Sequence, residues 1–412
     1  MKYGCIGEKL KHSFSKEIHN ALCDYEYEIR EIPECELDAF MREADFLGIN
    51  VTIPYKELVI PYLDFIDEHA KTIGAVNTIV KRDGRLYGYN TDFSGMTALI
   101  RYLGIELNGK KVAILGTGGT SKTARAVAES LMASEVVVVS RTPSDGQIDY
   151  AELYEKHRDT EVIINTTPLG MFPNNYTKPV ELSHFPALVG VVDAVYNPQR
   201  TPLVSEAINL SIPATGGLYM LVSQAVSASE IFLDKKYDRD VCERVFERIR
   251  REKESIVLIG MPASGKSTVA EILKSRLDRV KYDTDELITE RCGTSIPEIF
   301  KAKGEAYFRA VEHEVALEVA KTSSAIIATG GGIVLDPENT AALRQNGRIY
   351  FIDRPLSQLV PTASRPLSSD RASIEKRYAE RYDIYRASAD VIINADCDAE
   401  CVATKIMEDF LN

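Results

Sequence analysis

The chain has 412 residues, of which 45% are hydrophobic and 27% charged, and a formal net charge of −12. That length exceeds one ordinary hydrophobic core, so about two to three domains are expected. The acidic balance argues against a general nucleic-acid binder, which needs clustered cations, and no apolar run approaches the roughly 18 residues that span a membrane. The opening MKYGCIGEKLKHS shows no apolar segment with a cleavage site, so no signal peptide is expected. In chain order, KYGCIG reads as a strand, followed by a helix from about Ser15 to Cys23, the strand YEIREI and a helix from Glu36. GINVTIPYK (48–56) is an apolar strand that ends on a turn and a lysine. GAVNTIV (74–80) and RLYGYNTD (85–92) each place polar groups directly after a strand.

Polar residues gathered at strand ends mark the place where α/β sheets usually hold ligands. The set here is Ser13, Ser15, Asn50, Thr52, Lys56, Asn77, Thr78, Asn90, Thr91 and Asp92. Its hydroxyls, amides, ammonium and carboxylate suit a small polyhydroxylated acid. Lys56 and Asp92 are the acid–base candidates. A lysine beside a carboxylate passes a proton to or from an alcohol oxygen, and its charge stabilises a developing alkoxide. A random pair of this kind is more often an exposed lysine and an unrelated helix cap; the next segment favours chemistry.

Residues 110–142 carry the strand VAIL, the turn GTGGT, a helix from about Ser121 to Met132 and the strand EVVVVS. This is a βαβ unit with a glycine-rich first turn, the layout of a nicotinamide dinucleotide fold. Gly116, Gly118 and Gly119 would let backbone approach a pyrophosphate at the helix N-terminus, where free N–H groups favour anions. At the end of the second strand, Ser140 and Arg141 stand where an acidic residue would bind the ribose of NAD. A cation and a hydroxyl suit the 2′-phosphate of NADP. EVIINTTPLGM (161–171) and VGVVDAVYNP (189–198) continue the fold, and GGLYMLVSQAVSASEIF (216–232) reads as a helix returning to the first domain.

GEKLKHSFSKEIHN, NVTIPYK, GAVNT, GYNTD, GTGGT, SRT, NTTPLGM and GGLYMLVSQA stand in the order found in shikimate dehydrogenases. Residues 1 to about 250 resemble that family. The resemblance implies an α/β substrate domain at 1–101, completed by helices in 216–250, and a Rossmann-type NADP domain at 102–215. It implies that Ser13, Ser15, Thr52, Asn77, Asp92 and Gln224 hold shikimate, with Tyr196 at its border and Lys56 as the proton carrier. Gly116, Thr117, Gly118, Gly119, Thr120, Ser140 and Arg141 would hold NADP, and Gly217 would lie near the nicotinamide.

A charged amphipathic helix from about Arg244 leads to the apolar strand Ser255–Ile259 and then GMPASGKS. That octet satisfies G-x-x-x-x-G-K-[ST]: backbone N–H groups cradle phosphates, Lys266 neutralises them and Ser267 ligates Mg²⁺. A helix follows, then VKYDTDELI (280–288), read as a strand ending in two aspartates. IPEIFKAKGEAYFRAVEHEVALEVA reads as one helix, with Arg309 and Glu312 on one face. SAIIATGGGIV (324–334), GRIYFID (347–353) and ADVIINA (389–395) complete a small parallel sheet of five strands. Asp285, Arg309, Gly331 and Gly332 suit an acceptor with hydroxyls and a carboxylate. TASRPLSSDRAS (362–373) is a candidate lid, with Arg365 offsetting charge; such charge runs are more usually solvated loops.

GMPASGKST, DTDELI, FRAVE, GGG, SRPL and the Arg381-to-Tyr385 R-x-x-x-Y stand in the order of shikimate kinases, which residues 254–412 resemble. The resemblance implies an acceptor site at Asp285, Arg309, Gly331, Gly332 and Arg381, with Asp283 near the metal or the acceptor hydroxyl. ATP phosphates would meet Gly260, Ala263, Ser264, Gly265, Lys266, Ser267, Thr268 and Arg365. The expected whole is a bifunctional enzyme. It would reduce 3-dehydroshikimate with NADPH and phosphorylate shikimate with MgATP, with no nucleic-acid or membrane partner. A quinate/shikimate dehydrogenase fused to a kinase-like regulatory module is the alternative, and use of NAD stays open. The seven scattered cysteines form no C-x-x-C, and the nearest pair, Cys397 and Cys401, has no histidine neighbours. Neither disulfides nor a zinc site is expected, and the expected compartment is a reducing cytoplasm.

Overall fold

The computed structural model describes residues 1–10, 14–23, 25–360 and 370–411. Two compact units divide the chain at Ile249 and Arg250. No described helix is long and apolar enough to cross a membrane.

The first unit begins with the strands β1 (Tyr3–Gly7), β2 (Tyr27–Glu31), β3 (Gly48–Val51), β4 (Phe65–Ile66), β5 (Thr78–Arg82) and β6 (Arg85–Tyr89). They form one sheet in the order β2-β1-β3-β5-β6-β4. Helices α1 (Ser15–Leu22), α2 (Glu34–Glu43) and α3 (Glu68–Ile73) lie between them, and α4 (Thr91–Tyr102) follows β6. The sheet is mixed: β3 and β5 pair antiparallel, as do β5 and β6. Asp83 and Gly84, with φ of 49° and 78°, make the tight turn between β5 and β6, since two positive φ angles match the twist of a hairpin. Ile6, Ile49, Val51 and Ile79 are buried beneath α2 residues Leu37 and Met41. The other face receives a later helix, Leu218–Leu233, whose Phe232 ring lies where a side chain at Gly48 would project.

A second sheet follows from β7 (Lys111–Leu115), β8 (Glu135–Val139), β9 (Val162–Asn165), β10 (Gly190–Asp193) and β11 (Ala214–Thr215). All its pairs are parallel, in the order β11-β10-β9-β7-β8. Helices α5 (Gly119–Ser130), α6 (Tyr150–Lys156) and α7 (Pro202–Asn209) cross between strands. Fully buried runs such as Val112–Leu115 and Val162–Ile164 suit a sheet covered on both faces. The chain leaves β7 to one side for β8 and returns on the other for β9. That reversal opens a crevice beyond the carboxyl ends of β7 and β9. Helices α8 (Leu218–Leu233) and α9 (Val241–Lys253) follow, and α8 packs closely on α4 and α1.

In the second unit β12 (Ser255–Ile259), β13 (Val280–Asp283), β14 (Ala325–Ala328), β15 (Gly347–Asp353) and β16 (Val391–Asn394) form the expected five-stranded parallel sheet. Its order is β13-β14-β12-β15-β16, with helices α10 (Lys266–Leu277), α11 (Thr284–Cys292), α12 (Ile296–Val319), α13 (Pro337–Arg344), α14 (Arg371–Ser388) and α15 (Ala399–Leu411). Separate cores, around Phe351 and Val315 and around Tyr350 and Ile406, cover the two faces.

Three expectations are corrected here. The strand read over 280–288 stops at Asp283, whose carboxylate accepts the Asp285 N–H at 3.0 Å and starts α11. Asp285 therefore sits in the first turn of a helix. The single helix read from Ile296 breaks at Gly304, with φ 80° and ψ 173°. Cys397 and Cys401 are joined by a disulfide, whereas Cys5, Cys23, Cys35, Cys242 and Cys292 are free. Cys401 lies in the first turn of α15 and Cys397 just before it, which brings their Cα atoms to 6.1 Å, within disulfide reach.

Candidate active sites

In the first unit six of the strand-end polar residues line a cavity of about 770 Å³, whereas Thr78, Asn90 and Thr91 do not. Ser15, Thr52, Lys56, Asn77, Asp92, Thr120, Tyr196, Gly217 and Gln224 all face it. Ser13 lies outside the described residues. Local rules put the two acid–base candidates together. Asn90 caps α4 by accepting the Phe93 N–H at 3.2 Å, while its amide donates to the Ala75 carbonyl at 2.9 Å. Asp92 thus falls in the first turn, where free N–H groups favour a carboxylate. Lys56 follows the turn after β3, and its carbonyl accepts from Val76 N–H at 2.8 Å. Lys56 Nζ donates to Asp92 Oδ2 at 2.5 Å, with both side chains mostly buried. Asn77 Oδ1 accepts the Thr91 N–H at 2.8 Å, leaving its amide nitrogen 3.4 Å from Gln224 Oε1. Cys5, Asn50, Met171, Ala194, Met220 and Leu221 also line the cavity. Burial pushes the Cys5 thiol up to about 12, so it remains protonated.

The glycine-rich turn lies beyond β7. Gly116 has φ 108°, and a Cβ there would come within 2.8 Å of Thr166 Oγ1, so only glycine suits the place. Gly118 and Gly119 face open space, and Gly118 caps α5, so Thr120 is in its first turn. Thr117 lies between these glycines. Gly116 N–H donates to the Val139 carbonyl at 2.9 Å, which puts the turn beside Ser140 and the exposed Arg141. Arg141 lies near Tyr150, whose hydroxyl is pushed up by burial despite that cation. Gly217 packs on the Ala194 carbonyl, leaving no room for a side chain.

At the ends of β9 and β10 is a buried group to which the sequence reading gave no role. Asp193 is fully buried. Burial pushes its carboxyl up to about 6, opposed by hydrogen bonds from Thr201, Val195 and Asn165.

In the second unit the phosphate loop follows β12. Gly260, Ala263 and Gly265 have φ of 150°, 66° and 93°. Ser264 is fully buried, and its hydroxyl has no hydrogen-bond partner. Lys266 Nζ donates to the Gly260 and Met261 carbonyls at 2.8 and 2.9 Å. Ser267 Oγ donates to Asp283 Oδ2 at 2.7 Å. Ala263, Gly265, Lys266, Ser267, Thr268, Asp285, Thr329 and Gly331 line a cavity of about 260 Å³.

The remaining acceptor candidates converge on the glycines after β14. Asp285 Oδ1 and Glu312 Oε1 lie 2.6 and 3.0 Å from where a Cβ of Gly330 would be. Arg309 donates to Glu312 Oε2 at 2.6 Å and to Glu305 Oε1 at 3.0 Å, and its guanidinium occupies the space a Gly332 side chain would need. Arg381 Nη1 donates to the Gly331 carbonyl at 3.1 Å, and Tyr385 donates to the same oxygen. Glu312 is buried, with Oε1 unpaired by hydrogen bonds; burial pushes its carboxyl up and the Arg309 guanidinium opposes that. The sequence reading assigned no role to Glu312 or Tyr385, although the three-residue spacing from Arg309 carried a signal for the first. Arg365 lies outside the described residues.

Residues 262–411 match the family model described as shikimate kinase, and residues 5–79 match that of the shikimate dehydrogenase substrate binding domain. The NADP⁺-dependent shikimate dehydrogenase of Clostridium perfringens strain SM101 is 36% identical over 266 residues, which are 60% of this chain and 98% of that protein. The Clostridium beijerinckii enzyme is 35% identical, over 61% and 98%. Among solved structures, shikimate dehydrogenase 1 of Peptoclostridium difficile is 37% identical with TM-score 0.55, covering 61% of this chain and 98% of its own. A chorismate mutase/shikimate 5-dehydrogenase fusion protein of Clostridium acetobutylicum is 34% identical with TM-score 0.57, covering 60% and 96%. The chain therefore belongs to the shikimate dehydrogenase family over its first three-fifths and carries a shikimate kinase domain after it.

Proposed function

We propose that the protein catalyses two consecutive reactions: reduction of 3-dehydroshikimate to shikimate with NADPH, and phosphorylation of the shikimate 3-hydroxyl with MgATP. Residues 1–101 with the helices of 216–250 make the substrate domain, 102–215 the NADP domain and 254–412 the kinase. The cytoplasm, where both nucleotides are at hand, is the compartment that suits these reactions. The observation that carries the first step is the Lys56–Asp92 pair at 2.5 Å on a cavity lined by Ser15, Thr52, Asn77 and Gln224.

NADPH supplies a hydride when bound, and the residues assigned to it are the 116–120 turn, Ser140, Arg141 and Gly217. As the carbonyl carbon gains the hydride and its oxygen gains negative charge, the Lys56 ammonium gives that oxygen a proton. Asp92 aims the ammonium and balances its charge. Asn77 and Gln224 hold the substrate hydroxyls, with Ser13, Ser15, Thr52 and Tyr196 around it. Arg141 takes the extra phosphate of NADP. Arg141→Ala is expected to raise the KM for NADPH roughly tenfold and to change that for NADH little; equal effects on both would remove this assignment.

In the kinase the acceptor is held by Asp285, Arg309, Arg381 and the backbone of Gly331 and Gly332. Asp285, which lines the phosphate cavity, takes the hydroxyl proton as the oxygen bonds to the γ-phosphorus and ADP departs. Ser267 and Asp283, 2.7 Å apart, are an oxygen pair of the kind Mg²⁺ takes, and the ion would add charge neutralisation between the phosphates. Lys266 and the N–H groups of Gly260 and of Ala263 to Thr268 hold the phosphates, with Arg365 assigned to the same charge. Gly332→Ala should raise the KM for shikimate by about tenfold in the kinase assay, because the new methyl group displaces Arg309. An unchanged KM would remove Arg309 from the acceptor site.

Purified protein given 3-dehydroshikimate, NADPH and MgATP tests the whole reading. NADPH loss followed by ADP formation supports it; absence of either activity overturns that half.

A further inference from the structure

The Asp193 carboxylate, buried and without a task in the reactions above, is hydrogen-bonded to segments that carry walls of the reduction cavity. It ends β10, and both its oxygens meet donors. Oδ1 accepts from Asn165 Nδ2 at 2.9 Å and from Val195 N–H at 3.0 Å; Oδ2 accepts from the Thr201 hydroxyl at 2.7 Å. Each donor holds a different piece of the surroundings. Asn165 ends β9 and accepts from Thr167 N–H and hydroxyl at 3.0 and 2.7 Å, which folds the 165–171 loop toward the cavity residue Met171. The intervening Thr166 packs on the glycine-rich turn at Gly116 and donates to the Leu115 carbonyl at 2.7 Å. Val195 lies between the cavity residues Ala194 and Tyr196, and its carbonyl accepts the Gly217 N–H at 2.9 Å. Thr201 caps α7.

Resting on the dehydrogenase reading, we infer that Asp193 is the positioning residue for the cofactor side of the reduction site. Its carboxylate fixes the loops after β9 and β10 to each other, and through them the glycine-rich turn and the start of α8. The chemistry of the place selects an anion. Three donors converge on the group, and a carboxylate satisfies them all. A carboxamide that keeps its oxygen toward Asn165 and Val195 would present its N–H₂ to Thr201, whose hydroxyl must then turn to accept it, and the charge-assisted character of all three bonds is lost. Displacement of these loops by even a fraction of an ångström moves the nicotinamide relative to Lys56, and reaction rates are sensitive to such shifts. Lys56, Asp92, Asn77 and Ser15 belong to the other sheet and its helices, so most of the substrate's partners are held separately, whereas Tyr196 and Gln224 lie on the loop after β10 and on α8.

The test uses the full-length protein, following NADPH oxidation with 3-dehydroshikimate and, in the same preparations, phosphorylation of shikimate. Asp193→Asn is expected to raise the KM for NADPH about tenfold and to lower kcat, with a smaller rise, about threefold, in the KM for 3-dehydroshikimate through Tyr196 and Gln224. Phosphorylation stays at the wild-type rate. Thr201→Val, which removes one donor and keeps the shape, should shift the NADPH KM the same way by about threefold, and Thr201→Ser should restore it. If Asp193→Asn gives no folded protein, the Thr201 pair decides. A fall in maximal rate with the NADPH KM unchanged, in whichever variants fold, would reduce Asp193 to a fold-stabilising group and overturn the inference. Wild-type protein that fails to oxidise NADPH counts against the dehydrogenase reading instead; NADP⁺ titration of wild type and variants then decides on Asp193 alone.

Discussion

Lys56→Ala is expected to slow 3-dehydroshikimate reduction about 10²- to 10⁴-fold, the usual worth of a positioned proton donor, while phosphorylation of shikimate continues at the wild-type rate. The ammonium has two tasks in the proposed step, delivering the proton and stabilising the oxyanion, and alanine removes both. Water entering the vacated space would supply a proton without the fixed charge. Most of the loss should fall on kcat, because Asn77, Gln224 and Ser15 still bind the substrate. Lys56→Arg should not rescue, since a guanidinium stays protonated at any relevant pH and has a different reach. Asp92→Asn should show a smaller loss, because the ammonium remains but its 2.5 Å partner is weakened. Absorbance of NADPH reads the rate directly. Wild-type reduction by Lys56→Ala would falsify the assignment of the proton donor.

The second large effect concerns Lys266. Lys266→Met, which keeps the length of the stem and removes the charge, is expected to lower phosphoryl transfer by roughly 10²- to 10³-fold. The ammonium is buried and donates to the carbonyls of Gly260 and Met261. It thus braces the loop until phosphates offer it stronger, anionic acceptors. Methionine fills the same space but offers neither hydrogen bonds nor charge. Both affinity for ATP and the rate of transfer should fall, whereas reduction of 3-dehydroshikimate should not change. Coupled detection of ADP measures the first, NADPH absorbance the second. A variant that phosphorylates at the normal rate would show that the loop's backbone suffices. Loss of both activities would mean that the substitution unfolds more than the loop.

Glycines and the groups just after apolar strands made much of both sites readable from the sequence. The turn at Gly116 and the loop from Gly260 to Ser267 are local devices, in which backbone conformation and helix start follow directly from residue type. Lys56 and Asp92, 36 positions apart, were harder, and their pairing follows from a sheet order that no local pattern states. The misread places have local physics of their own. In VKYDTDELI the apolar spacing suits a strand, yet Asp283 captures the N–H of Asp285 and starts a helix, so capping prevails over pattern. Around Gly304 the helical residues on either side conceal a break, because one glycine inside a helix costs only about 1 kcal/mol and does not announce itself. The four-residue spacing of Cys397 and Cys401 became a bridge because a helix starts between them. Asp193 reads as an ordinary strand end in GVVD; its significance lies in donors from Asn165 and Thr201, which the fold brings together.

The Gly331 carbonyl receives hydrogen bonds from both Arg381 and Tyr385. A carbonyl oxygen has two lone pairs, so neither donor is surplus. The arrangement amounts to a fixed peg and a removable one. In the proposed acceptor site Arg381 would turn toward the incoming anion while the tyrosine, fully buried against Phe351, keeps the oxygen anchored. The floor of the pocket need not reshape each time the guanidinium departs and returns. Capture of the anion and rigidity of the glycine turn would thereby fall to different side chains, and a cycle of binding and release would leave the phosphate cavity, which Gly331 also lines, undisturbed.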